Sequence, residues 1–300
     1  MKMRFVNLRQ IIARLTPYRL RARVAPKIYR HFYFSGLFKA RLYGKAIFRM
    51  ISYSGKYENE IYWHGIDGGL EKRSQQIWAE YCKIFKPNNI LDVGANSGLY
   101  SLIAIAQSPN SKVTSIEPIP EAIRRMTANM NANSFKNSIY PGALSNYTGV
   151  GDIYLELDLN YASSVTLNTY SDLAITGVHD VAKKLTKLTV PVSTLSNLIK
   201  DNFCKIPDLV KIDVESHELE VLEGFGYDLM ETNAFLIEVL NERVAKGINE
   251  AFKGLGFIYF NINDEKNTLR ITDEVSKSDF WNYFICKPEV AKKLSTLSLL

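Results

Sequence analysis

From Ile90 onward, short apolar runs alternate with longer segments whose apolar residues recur every three or four positions. The runs at 90–93, 112–116, 138–140, 188–192, 208–214 and 234–239 predict strands, and 257–261 and 283–286 close the series. Between them, 99–107, 121–133 and 246–253 predict helices, as does a segment that opens at Thr194, a suitable cap, and runs to Phe203. Another helix over 70–85 leads through Pro87-Asn88-Asn89 into the first run. Parallel strands joined by helices need crossovers, which pack helices on both faces of the sheet and gather the strand-to-helix loops along one edge. Asp92, Glu117, Gly142, Asp213 and Glu238 are then expected to face one crevice. Residues 147–170 interrupt the alternation: Thr148-Gly149-Val150-Gly151 and the run 152–157 predict a hairpin, followed by Ala162-Ser163-Ser164-Val165.

The first loop carries the clearest chemistry. In ILDVGANSGLYS, residues 90–101, an apolar run ends in an acid and passes through two glycines into a helix. Gly94 supplies a turn that a side chain would obstruct, and Gly98 lets the first helical turn lie close to the strand, so a ligand can approach bare backbone. A dinucleotide fingerprint needs glycine where Asn96 and Leu99 stand, which argues against NAD. A pyrophosphate cradle needs Lys-Ser/Thr after Gly98, where Leu99 and Tyr100 follow instead. Glu117 ends the second strand 23 residues after Gly94, where a carboxylate hydrogen-bonds ribose hydroxyls in sites of this architecture. A solvated strand-end acid is the plain alternative.

The stretch from Asp92 to Gly98 resembles motif I of class I S-adenosylmethionine-dependent methyltransferases, in the DVGAN-x-G form of the FkbM family, which also has asparagine at the position of Asn96. KIDVESHELEVLEG, residues 211–224, is similar to that family's second signature, with Ser216 where glycine is usual. The resemblance spans roughly residues 65–287. It implies a class I, Rossmann-like α/β domain over 65–300, with a mainly parallel sheet and a hairpin insertion containing the Ser163-Ser164 pair. A basic, aromatic-rich helical extension over 1–64 would precede it. The implied cofactor is S-adenosylmethionine. Its methionine part would lie in the loop of Gly94, Asn96 and Gly98, with Asp92 near the ammonium group, and its adenine against backbone around Gly142 and Ala143. The implied activity is methyl transfer to a hydroxyl of a sugar, glycan or related metabolite. Leu195-Ser196 departs from the family's Leu-Asp, which weakens any role for that position.

A sulfonium already makes its methyl group electrophilic, so such an enzyme must align donor carbon and acceptor oxygen, roughly 3–3.5 Å apart, and accept a proton. Asp213 is the first candidate base and His217 the second. Glu238 and Glu215 could orient the acceptor or, with Asp213, hold a divalent cation through hard oxygen ligands, although no metal ligand is assigned. Asp213 could equally cap the next helix, and His217 could be an exposed helical residue.

Composition alters this picture at one end of the chain. Three hundred residues, 46% hydrophobic and 23% charged, can bury a full core. Cys82, Cys204 and Cys286 lie far apart and are odd in number, and the four histidines lack metal spacing, so neither a disulfide framework nor a zinc site is expected. The net charge of +6 is uneven: residues 1–50 hold 13 bases and no acid, whereas 51–300 hold 24 bases against 31 acids, a net of −7. Phe5, Leu8, Ile12 and Leu15 recur at helical spacing among Arg4, Arg9 and Arg14. Such a segment can pack on the protein body, lie on an anionic membrane through residues 1–23, or bind a polyanion.

The dense aromatics from Phe32 to Trp63 are expected to pack as helices, with stacking on bases or sugar rings as the alternative. Arginines interrupt any signal-peptide core, and no run reaches the roughly 18 apolar residues of a spanning helix. A cytoplasmic protein is expected, with the arm able to reach the inner face of the membrane. The rival reading is a nucleic-acid-directed methyltransferase or a non-catalytic binding protein that uses this arm. The acidic body offers no continuing basic channel, so nucleic acid is the less favoured partner.

Overall fold

The computed structural model describes residues 15–18, 20, 21, 32–156 and 185–297. Its first strands, β1 (Ser35–Leu42) and β2 (Lys45–Tyr53), pair antiparallel across Tyr43 and Gly44. Both turn residues have positive φ, 49° and 75°, as a two-residue type I′ hairpin turn requires. Phe38, Ala40 and Leu42 on β1, and Phe48 and Met50 on β2, alternate with Lys39, Arg41 and Arg49, so one face is buried. The helical extension expected over 1–64 is thereby corrected: residues 35–53 form a β-hairpin, because their apolar period is two. Helices α1 (Lys56–His64) and α2 (Lys72–Phe85) follow. In the amphipathic arm, Phe5, Leu8 and Ile12 lie outside the described residues, as do Ser163 and Ser164, and Leu15 is exposed.

The alternating region begins with β3 (Asn89–Val93), α3 (Leu99–Gln107), β4 (Lys112–Ile116), α4 (Pro120–Asn133) and β5 (Ser138–Tyr140). β6 (Ala143–Leu144), β7 (Gly149–Glu156) and β8 (Leu185–Ser193) form a separate sheet in the order β6-β8-β7. The run 188–192 is therefore a strand, as expected, but in this side sheet. Next come α5 (Leu195–Lys200), whose first turn Thr194 caps by accepting from the Asn197 amide at 3.0 Å, then β9 (Leu209–Ile212), α6 (Glu218–Glu223) and α7 (Asp228–Glu231). The chain continues with β10 (Ala234–Glu238), α8 (Glu242–Phe252), β11 (Ile258–Asn263), β12 (Thr268–Thr272), β13 (Asn282–Cys286) and α9 (Pro288–Thr296).

The large sheet runs β5-β4-β3-β9-β10-β13-β11-β12. The first five of these are mutually parallel, whereas β13 is antiparallel to both β10 and β11. β12, which the sequence pattern did not signal, adds an antiparallel edge. Side chains of the central strands alternate between two cores. Ala234 and Leu236 of β10 face one that includes Trp78, Leu102 and Met126, and Phe235 and Ile237 face the other, with Val221, Val244 and Phe252. Phe38 and Met50 of the hairpin belong to the first core, so the hairpin packs with the main domain. Strand order reverses between β3 and β9, and the carboxyl ends of strands at such a switch point open a ligand crevice.

Candidate active site

The loop after β3 meets the end of β9 at that switch point. The Gly94 and Ala95 amides both donate to the Ile116 carbonyl at 3.0 Å, turning the chain across the end of β4. Gly94 has φ 78°, and a β-carbon there would collide with the Asp213 carbonyl oxygen. Gly98 has φ 84°, and a β-carbon there would lie 2.7 Å from Met126 Cγ on α4. Asn96 is left-handed as well, with φ 50°. The loop thus keeps its backbone bare and close to the sheet, as a ligand cradle requires.

Two buried acids shape it. Asp92 Oδ2 accepts from the Ser101 amide at 3.0 Å and the Ser101 hydroxyl at 2.6 Å, which satisfies an otherwise orphan N–H in the first turn of α3. Burial raises the Asp92 pKa, with the Asp213 charge adding to it, against the Ser101 hydrogen bonds and Lys211. Glu117 Oε2 accepts from the Asn96 amide at 2.7 Å and Oε1 from the Ile119 amide at 2.9 Å, so this carboxylate ties the motif loop to the end of β4. Burial, aided by the Asp92 and Asp213 charges, pushes Glu117 up to about 7.

The facing wall comes from β9 and the turn beyond it. Lys211 Nζ donates to Asp213 Oδ2 at 2.6 Å. Glu215 and Ser216 carry positive φ, 54° and 77°. Burial, then the neighbouring Asp213 charge, pushes Glu215 up to about 7. Glu218 Oε1 accepts from the Val214 and Ser216 amides at 3.2 and 3.1 Å, bracing the turn from inside, and burial pushes its carboxyl up to about 8. His217 is buried rather than exposed. Its Nε2 lies 3.0 Å from Ser145 Oγ, and its Nδ1 lies 3.5 Å from Glu220, which Arg243 holds at 2.6 Å. Burial lowers the pKa of His217, with Glu220 opposing and Arg243 lowering it further. Ser145 is 0% exposed and cannot serve as a nucleophile despite its histidine partner.

Between these walls lies a cavity of about 390 Å³. Of the sequence-predicted residues, Asp92, Gly94, Asn96, Glu117, Ala143, Asp213 and His217 line it. Three expected residues are not among the lining residues. Gly98 packs on Met126, and Gly142 packs on Pro191 and Tyr140, leaving Ala143 and Leu144 to form that wall. Glu238 is buried close enough to Asp213, Glu215 and Glu71 for their charges, after its own burial, to push its carboxyl well up. Sequence reasoning missed the third wall, made of Tyr57, Glu58, Leu70 and Glu71 from before the motif and Arg125 from α4. Glu71 Oε2 accepts from the hydroxyls of Tyr57 and Tyr100 at 2.7 and 2.9 Å. An acid one residue before a helix carries no recognisable signal of its own. Among the described residues, no three His, Cys, Asp or Glu side chains are grouped to hold a metal ion.

Residues 92–259, more than half of the chain, match the methyltransferase FkbM domain. The chain belongs to the FkbM methyltransferase family. That family is one of S-adenosylmethionine-dependent methyltransferases. Hexuronic acid methyltransferase AglP of Haloferax volcanii is 29% identical over 150 residues, covering 49% of this FkbM chain and 54% of that protein. Methyltransferase sdnD of Sordaria araneosa is 25% identical over 172 residues, covering 50% and 66%. The chain thus spans less than two thirds of the length of either relative. Among solved structures, an S-adenosylmethionine-dependent methyltransferase from Agrobacterium tumefaciens aligns over 85% of this chain and 71% of that one, at 12% identity and a TM-score of 0.43. Strand order, rather than that loose likeness, defines the FkbM chain as a class I methyltransferase fold. No helix among the described residues is long and apolar enough to cross a membrane.

Proposed function

We propose that this chain transfers the methyl group of S-adenosylmethionine to a hydroxyl oxygen of a sugar, glycan or related metabolite. The observation that carries the reading is the cavity at the switch point, where both FkbM signatures supply facing walls and Gly94 leaves a cradle that any side chain would fill. Backbone from Gly94 to Ser97 would hold the methionine part, Glu117 the ribose hydroxyls, and Ala143 with Leu144 the adenine. When bound, the cofactor supplies an electrophilic methyl group on a sulfonium.

The chain's own residues then have three tasks: to orient the acceptor, to exclude water and to take its hydroxyl proton. Asp213 suits the last task better than His217. Its side chain is 29% exposed and it lines the cavity, whereas the His217 Nε2 is already engaged with Ser145. The sugar class draws support from the hexuronic acid methyltransferase relative, which acts on a polyhydroxy acid by its name.

Calorimetric titration with S-adenosylhomocysteine tests the cofactor, and methyl-transfer assays over a panel of hexuronates and neutral sugars test the acceptor class. Transfer that a chelator abolishes and magnesium restores would add a cation to the mechanism. Tight RNA binding that weakens steeply with salt, without transfer to any sugar, would overturn the glycan reading.

A further inference from the structure

Lys211 is a buried cation in the wall of this cavity that neither cofactor binding nor proton transfer directly uses. It lies in register with Asp92 of β3, so both side chains share one face of the sheet. Its ammonium donates to Asp213 at 2.6 Å and lies 4.5 Å from the centre of the Tyr100 ring. The pair is lopsided: the Lys211 side chain is 3% exposed and that of Asp213 29%, so the cation is covered while the carboxylate opens to the cavity. Glu71 is fixed in turn. It adopts a left-handed φ of 50° before α2, and its carboxylate takes two hydroxyl hydrogen bonds, from Tyr57 on α1 and Tyr100 on α3. A strained backbone with a doubly clamped carboxylate is costly unless its geometry is needed.

We propose that Lys211 and Glu71 are positioning residues for Asp213: Glu71 holds the Tyr100 ring against which the Lys211 ammonium rests, and Lys211 pins one carboxylate oxygen of Asp213 and leaves the other to receive the acceptor's proton. This inference rests on the O-methylation reading. The acceptor oxygen bonds the methyl carbon, the electron pair of the broken carbon–sulfur bond stays on sulfur, and the hydroxyl proton passes to Asp213 Oδ1 and then to water. Lys211 cannot be the base itself. Burial opposes its charge, but Asp213, Glu71 and Asp92 outweigh that and hold its pKa above the ordinary lysine range. The groups around Asp213 are Lys211 on β9, Asp92 on β3, Glu117 at the end of β4, Glu215 in the following turn, Glu218 on α6, Glu238 on β10, Glu71 before α2 and Tyr57 on α1.

The test is the carboxyl-carbon NMR resonance of Asp213 in the S-adenosylhomocysteine complex of the full chain, paired with methyl transfer to D-glucuronate. Lys211→Met removes the pinning cation and is expected to move and broaden that resonance as the carboxylate leaves its fixed position. Glu71→Gln loosens the Tyr100 support and is expected to move it in the same way to a smaller extent, while Lys211→Arg leaves it close to wild type. In the transfer assay, Lys211→Met is expected to lower kcat about 100-fold with KM little changed, and Lys211→Arg to recover most of the loss. Should Lys211→Met fail to fold because it strands buried acids, Glu71→Gln against Lys211→Arg still reads the loosening of the carboxylate. A resonance left unmoved by both Lys211→Met and Glu71→Gln would overturn the proposal whether or not glucuronate is an acceptor. Failure of wild type to bind S-adenosylhomocysteine would overturn the cofactor reading together with it.

Discussion

Gly94 and Asp213 meet backbone to backbone. The Asp213 amide donates to the Val93 carbonyl at 3.1 Å, extending the parallel ladder one step past β9, and its carbonyl oxygen then occupies the space where a Gly94 β-carbon would be. The two family signatures are thereby joined at the point where their strands diverge, and the candidate base is set by the same contact that bares the cofactor loop.

Gly94→Ala is therefore expected to destabilise the protein by about 3 kcal/mol, combining left-handed strain with displacement of β9 backbone, and to abolish S-adenosylhomocysteine binding. Gly254 has φ 74° with nothing within 4 Å of where an alanine methyl would sit, so Gly254→Ala should cost only about 1 kcal/mol and leave binding intact. Urea unfolding and calorimetry on both variants measure the difference. Equal losses would show that the close approach to Asp213 has no energetic weight.

Ser216 occupies a left-handed position, φ 77°, and its buried hydroxyl has no hydrogen-bond partner among the described residues. Ser216→Gly, which restores the usual residue of the signature, relieves strain and an unsatisfied group, offset in part by the greater freedom of glycine in the unfolded chain. A net gain of about 1 kcal/mol is expected, read as a higher Tm. A lower Tm would mean that the turn is held by the serine and not despite it.

The parts of this site that were legible in the sequence are those where one residue type has one physical use. Gly94 after an apolar strand and Glu117 at the end of the next are tied to backbone geometry, and the chain places both on the cavity. The hairpin was misread although its pattern was present: Tyr43-Gly44 is a weaker turn signal than Asn-Gly, and aromatics four or five residues apart within a basic stretch, Phe34, Phe38, Tyr43 and Phe48, resemble a helix face. Glu71 and Tyr57 were illegible for another reason. They are tied to the site by hydrogen bonds between segments far apart in sequence, Tyr57 and Tyr100 both donating to Glu71, which no local pattern encodes. Of Gly142 and Ala143, both expected beside the adenine, Ala143 lines the cavity while Gly142 packs on Pro191 and Tyr140.

Glu218 predicts a pH dependence of stability. Burial pushes its carboxyl from the ordinary 4.5 up to about 8, so the folded state holds the extra proton between those values. Stability from this group is fully present below about pH 4.5 and is lost as pH rises through about 8. Glu218→Gln keeps an oxygen for the Val214 and Ser216 amides and cannot ionise. The variant is expected to match wild type near pH 5 and exceed it at pH 9 by at least about 1 kcal/mol. Parallel stability curves for the two proteins over pH 5–9 would show that Glu218 does not titrate in this window.

Asn129 on α4 couples the hairpin to the cofactor loop. Its Oδ1 accepts from the Ile51 amide of β2 at 2.8 Å and its Nδ2 donates to the Ser97 carbonyl at 3.0 Å, with the side chain fully buried. Asn129→Ala strands a donor in the hairpin and an acceptor in the loop, each costing about 1–3 kcal/mol where water cannot replace the partner. Asn133, one turn further on, bonds the Arg49 amide and carbonyl at 2.6 and 2.7 Å in exposed positions, and water can take its place there. The expected result is a loss of about 3 kcal/mol with at least tenfold weaker S-adenosylhomocysteine binding for Asn129→Ala, against a loss under about 1 kcal/mol and unchanged binding for Asn133→Ala. Denaturation and calorimetry on the pair decide it. If Asn129→Ala unfolds more easily yet binds as wild type does, the hairpin supports the core alone and Ser97 is held by its own loop; weakened binding would make the segment before the family domain a working part of the cofactor site.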